Sequence, residues 1–101
     1  TAIMVAGEFG RTPKINGQGG RDHWARAMFA LMAGGDVEGG QVIGETDDRA
    51  GAPVGKGYSP DDLAASFFQN IGINSKHEFQ TNIGRPINLV RDGKPIAQLF
   101  S

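Results

Sequence analysis

Between Gly7 and Trp24 the chain reads GEFGRTPKINGQGGRDHW. An apolar run precedes this stretch, a carboxylate (Glu8) opens it, and an Asp-His pair (Asp22, His23) closes it. Residues 10 to 22 hold Pro13, Asn16 and four glycines, so the chain here is loop. A loop of this length without structure of its own is usually functional or disordered. Charged residues and a tryptophan at its far end favour function. The expectation is that a strand delivers Glu8 to a surface and that the loop returns Asp22 and His23 to the same place.

The flanking sequence supports that arrangement. Thr1 to Ala6, TAIMVA, is apolar without alternation, as strands covered on both faces are inside a parallel sheet. Gly7 lets the backbone turn, which leaves Glu8 just past the strand end. In open α/β sheets ligands bind outside the carboxyl ends of strands. Ala27 to Ala33, AMFALMA, bounded by Gly34-Gly35, reads as a second buried strand with Met28, Phe29, Leu31 and Met32 in the core. Residues 34 to 58 are again glycine-rich, with a short strand expected at Gln41 to Ile43.

Two local patterns in that region are set aside. Glu45, Asp47 and Asp48 lack the order and the distal Glu of a calcium loop, so an exposed acidic turn is expected. GAPVGKG at 51 to 57 is one residue short of a phosphate loop and lacks a Ser or Thr after Lys56. Further on, Ser59 to Ile71 is the clearest helix. Ser59 is the N-cap, Pro60 the first helical residue, and Asp62 completes a capping-box-like S-x-x-D. Leu63, Phe67 and Ile71 lie on one face, expected to pack on the sheet, and Gly72 ends the helix. Residues 73 to 86 read as irregular, with His77 a solvated surface histidine. Asn88 to Arg91 and Lys94 to Ile96 read as arms about a turn at Asp92-Gly93. Ile96, Leu99 and Phe100 are expected to tuck against the body.

Composition bounds the function classes. A chain of 101 residues suffices for one small domain. At 39% hydrophobic and 21% charged, its composition is that of a globular chain. A net charge of −1 with scattered Lys and Arg gives no electrostatic footprint for nucleic acid or a membrane. No apolar run approaches the roughly 20 residues that span a bilayer. The absence of cysteine leaves oxygen and imidazole as the only metal ligands. The 16 glycines and the start within a strand pattern lead to the expectation that 1–101 is one partial domain. It would be the C-terminal segment of a larger α/β domain whose remainder lies upstream.

Glu8, Asp22 and His23 supply the atoms that a divalent cation needs, whether Zn, Ca, Mg or Mn. Adjacent residues on an extended strand point to opposite faces. Asp22 and His23 therefore share a site only in a turn, or one ligates and the other supports. Arg11 and Arg21 are placed to hold a small anionic ester substrate, and Trp24 to wall the pocket. The structural alternatives stay open: Asp22 capping the next element, His23 bonding a carbonyl, Glu8 pairing with Arg11.

Several blocks occur in order: GEFGRTPKIN, GRDHW, an apolar strand ending in Gly-Gly, GGQVIGETD, the Ser-Pro-Asp-Asp-Leu helix, GRPINLV and DGKPI. This order resembles the C-terminal part of a bacterial family of unknown function regarded as sulfatase-like, near the alkaline phosphatase superfamily. The resemblance implies an α/β/α fold with a mostly parallel sheet. It also implies a two-metal site with a Ser, Thr or modified Cys nucleophile acting on sulfate or phosphate esters. Glu8 stands where the superfamily's metal-binding Asp would be, Phe9 where the adjacent His would be, and His23 matches a further metal-binding His. Phe9 cannot bind metal. No serine here has a base beside it, and the superfamily nucleophile would lie upstream, so the chain is expected to have no catalysis by itself. Export to the periplasm is implied by the resemblance alone. Two functions remain: part of a metal-dependent ester hydrolase, or a non-catalytic module with a degraded metal site.

Overall fold

A computed structural model of the chain describes residues 1–100. Strand β1 spans Ala2–Ala6, β2 Gly10–Arg11, β3 His23–Trp24 and β4 Ala30–Gly34. Helix α1 spans Pro60–Asn70, followed by β5 Glu78–Gln80, β6 Pro86–Asn88 and a 3-10 helix at Ala97–Phe100. The strands pair as β1 with β4, β2 with β3 and β5 with β6.

The expected α/β/α domain with a mostly parallel sheet is not what forms. The described residues make three separate two-stranded antiparallel ribbons and no parallel sheet. The physical reason is connectivity. A parallel pair needs a strand, a crossover and a second strand in the same sheet. Among the described residues the one α-helix, α1, leads into three-residue strands that pair with each other.

This also overturns the expected core. β1 and β4 have the apolar composition of sheet-interior strands, but the described residues do not cover them on both faces. Ile3, Val5 and Met28 are exposed, and Phe29 and Leu31 are 78% and 61% accessible. At the end of β4, Gly34 has φ +82 and lies against the Thr1 carbonyl, an approach that no side chain would allow. The short strand expected at Gln41 to Ile43 does not form.

The described chain divides into two compact units. One gathers residues 1–2, 33–41 and the chain from Tyr58 on. Its centre is α1, and the sequence signals for that helix hold. Asp62 N–H donates to Ser59 Oγ at 3.1 Å, and Ser59 N–H donates to Asp62 Oδ2 at 3.0 Å, which closes the capping box. At the other end Gly72, with φ +84, donates to the Gln69 carbonyl, and Ile73 donates to that of Phe68. This pair of bonds satisfies carbonyls the helix leaves open. Replacing Ser59 with Ala is expected to lower stability by about 1 kcal/mol, read as a shift in the midpoint of urea unfolding. An unchanged midpoint would mean that the cap is redundant.

The buried face of α1 differs from the expected one. Ala65 and Ser66 are fully buried and Asn70 nearly so, while Leu63 and Phe67 are half-buried and Ile71 is exposed. Small and polar residues line the contact because backbone, not a sheet, lies against them. Asn70 accepts from Asp36 N–H at 2.8 Å and donates to the Gly34 carbonyl at 3.2 Å, pinning the Gly34-Gly35 turn. Val90 and Ile96 complete the small apolar core. Leu99 and Phe100 are half-buried, so the C-terminal residues do tuck in.

The hairpin in this unit lies earlier than expected. β5 and β6 pair with Phe79 opposite Ile87, closed by Thr81 to Arg85, and the hairpin overlaps the stretch 73 to 86 read as irregular. Asp92-Gly93 forms no hairpin turn. Instead Gly93 sits against the Asp61 backbone, and Lys94 N–H donates to Asp62 Oδ1 at 3.0 Å. His77 is exposed, with its ring edge-on to Phe79 at 4.9 Å.

The second unit comprises Ile3–Met32 and Val42–Gly57 and carries the loop and all the candidate site residues.

Candidate functional site

The loop is built on a two-residue ribbon. Gly10 pairs with Trp24 and Arg11 with His23. Two further bonds continue the closure: Thr12 N–H donates to the Asp22 carbonyl at 3.0 Å, and Asp22 N–H donates to Thr12 Oγ1 at 3.2 Å. Asn16 then organises the tip. Its Oδ1 accepts from Gln18 and Gly20 N–H, both at 3.0 Å, while its Nδ2 donates to Asp22 Oδ1 at 3.0 Å. Asn side chains stabilise turns by bonding backbone groups a few residues on, and here one Asn does so twice. The glycine-rich excursion is therefore an ordered loop.

The two arginines expected to hold an anion are engaged within this scaffold. Arg21 Nη1 donates to the Thr12 and Pro13 carbonyls at 2.8 and 2.7 Å. Arg11 Nη1 donates to the Arg21 carbonyl at 3.2 Å, and its guanidinium lies 5.7 Å from the Phe9 ring centre. Each guanidinium thus braces the loop.

Glu8, Asp22 and His23 are all exposed, and they do not converge. Among the described residues no three His, Asp or Glu side chains lie close enough to share an ion. Among the described residues the donor set therefore does not complete a metal site. Asp22 faces Asn16. The His23 ring lies against Phe9, centroids 4.0 Å apart and tilted by 35°. Neither of the bonds raised as structural alternatives for Glu8 and His23 forms. Glu8 makes no ion pair with Arg11, and the imidazole bonds no carbonyl among the described residues.

The acidic turn behaves as expected. Asp47 Oδ1 accepts from Arg49 and Gly51 N–H at 3.2 and 2.8 Å, closing a tight turn in which Ala50 adopts φ +56. This turn abuts the loop through Trp24, whose indole Nε1 donates to the Gly51 carbonyl at 2.7 Å. Between the two lies an open groove of about 620 Å³. Lys14, Ile15, Asp22, Trp24 and Arg49 supply its side-chain chemistry. Lys14 and Arg49 were not singled out in the sequence. Nothing local marks them, because Arg49 reaches the groove only through the Trp24–Gly51 contact.

The family profile described as "Protein of unknown function (DUF1501)" matches residues 1–100. The chain belongs to the DUF1501 family. Neither a curated protein nor a solved structure matches it. The resemblance read from GEFGRTPKIN and GRDHW is thus correct at the level of a family of unknown function. In this DUF1501 chain those blocks form the ribbon strands and the ordered loop between them. No helix among the described residues is long and apolar enough to cross a membrane.

Proposed function

We propose that this DUF1501 chain is a non-catalytic binding module. In this reading it keeps the loop of a sulfatase- or phosphatase-like ester hydrolase without that enzyme's metal chemistry. The observation that carries the reading is the contact between Phe9 and His23. The imidazole that would ligate a cation has an aromatic ring 4.0 Å away, where the resemblance calls for a second imidazole. An aromatic ring offers no lone pair to a hard cation. Asp22 and Arg21 support the same reading, since both are tied into the loop's own hydrogen bonds. What remains is a rigid loop beside a groove.

A second reading, the metal-dependent ester hydrolase, is favoured by one feature. The His23 ring nitrogens and the Glu8 carboxylate are exposed and make no hydrogen bond among the described residues. Under it, both would be partial donors to a site that this chain does not complete, and no catalytic step can be assigned to them.

Elemental analysis and ester hydrolysis separate the two. The purified protein is expected to carry well below one metal per chain and to leave p-nitrophenyl sulfate and p-nitrophenyl phosphate intact. His23→Ala is expected to change neither result. Stoichiometric metal lost in His23→Ala, together with ester turnover in the parent protein, would establish the hydrolase instead.

A further inference from the structure

The groove beside Trp24 has a chemistry of its own. Trp24 and Ile15 give it an apolar wall, and Lys14, Arg49 and Asp22 give it charge. The indole N–H is already bonded to Gly51, so the ring is held in place before any ligand arrives. Lys14 Nζ and the Arg49 guanidinium make no hydrogen bond or ion pair among the described residues. Asp22 has one carboxylate oxygen on Asn16, which leaves the other as an acceptor. The groove thus offers two cations without a partner among the described residues, Lys14 and Arg49, and the free oxygen of Asp22.

We propose that this groove takes an anionic carbohydrate, a sugar bearing a sulfate or phosphate ester. Each alternative leaves part of the groove unused. A bare inorganic anion would meet the cations but not the aromatic wall, and Asp22 would repel it. A neutral sugar would stack on Trp24 and donate hydroxyls to Asp22 but leave both cations without a partner. A sugar ester matches all three: its carbon face on the indole, its hydroxyls to Asp22, and its ester oxygens to Lys14 and Arg49. This inference rests on the binding half of that reading, not on the absence of catalysis, and names the ligand class.

Trp24 is the only tryptophan, so its fluorescence reports on the groove directly. Titration with glucose 6-sulfate and glucose 6-phosphate is expected to give a saturable change, weakened by added salt. Glucose and inorganic sulfate at equal concentrations are expected to give little. The double variant Lys14→Ala, Arg49→Ala is expected to bind about tenfold more weakly or worse, because charge-assisted bonds are lost. Both positions are exposed, and circular dichroism checks that the variant folds. The proposal is overturned by the absence of a saturable change, by equal titration with glucose or inorganic sulfate, or by undiminished binding in a folded double variant. Released sulfate or phosphate is measured in the same samples. Binding with release would sink the non-catalytic reading and leave this one standing. No binding and no release would sink this one alone.

Discussion

Gly10→Ala is expected to lower stability by about 3 kcal/mol and to abolish ligand-dependent Trp24 fluorescence. Gly10 opens the ribbon that carries the candidate site and pairs directly with Trp24. A methyl group there would be driven into the Ala27 carbonyl and would crowd the Trp24 carbonyl at 3.1 Å. Both obstacles are backbone, so neither can turn away as the tip of a flexible side chain would. The ribbon is two residues long in each strand and has no neighbouring strand to hold its register. Relief is therefore expected to come from separation of β2 and β3, which moves Trp24 off Gly51 and dissolves the groove. Gly17→Ala is the matched control: its added methyl meets nothing within 4 Å, and it lies in the same loop. Urea unfolding of both variants, followed by Trp24 fluorescence, is the measurement. Equal midpoints for the two would show that β2 and β3 are not packed as described.

Ser66→Ala is expected to cost about 1–3 kcal/mol, a large effect for one oxygen atom. Ser66 is fully buried on α1. Its hydroxyl donates to the Asp62 carbonyl one turn back and accepts from Ile96 N–H, each at 2.8 Å. The second bond matters more. Ile96 is itself buried, so its N–H has no water to turn to once the oxygen is gone. An unsatisfied buried donor costs its full desolvation, whereas the helix's own bond at Asp62 is only a supplement. Thermal unfolding reads the global loss, and hydrogen exchange at the Ile96 amide reads its cause. An Ile96 amide as protected in the variant as in the parent would mean that another acceptor replaces Ser66.

These two positions also separate what local sequence reveals from what it hides. The helix was readable because its signals act within one turn. Ser59, Pro60, Asp62 and Gly72 each satisfy or replace backbone groups only a few residues away. The acidic turn was readable for the same reason, since Asp47 bonds Arg49 and Gly51. The long loop is legible in the sequence, but the expectation that Glu8, Asp22 and His23 converge on one cation is not met among the described residues. Whether they meet was not readable, because that depends on where a two-residue ribbon places side chains more than ten residues apart. The ring that lies against His23 belongs to Phe9, and the second cation lining the groove with Lys14 comes from Arg49.

The sequence by itself determined the helix and its caps, the loop, the acidic turn and membership of the DUF1501 family. These follow from short-range bonding and from the order of the motifs. Only the tertiary structure decided that the apolar strands pair as open antiparallel ribbons, that α1 buries Ala65, Ser66 and Asn70, and that Trp24 backs a groove between two loops. Apolar composition records that a strand favours burial. What buries it, and which distant backbone group meets which side chain, depends on contacts that composition does not encode.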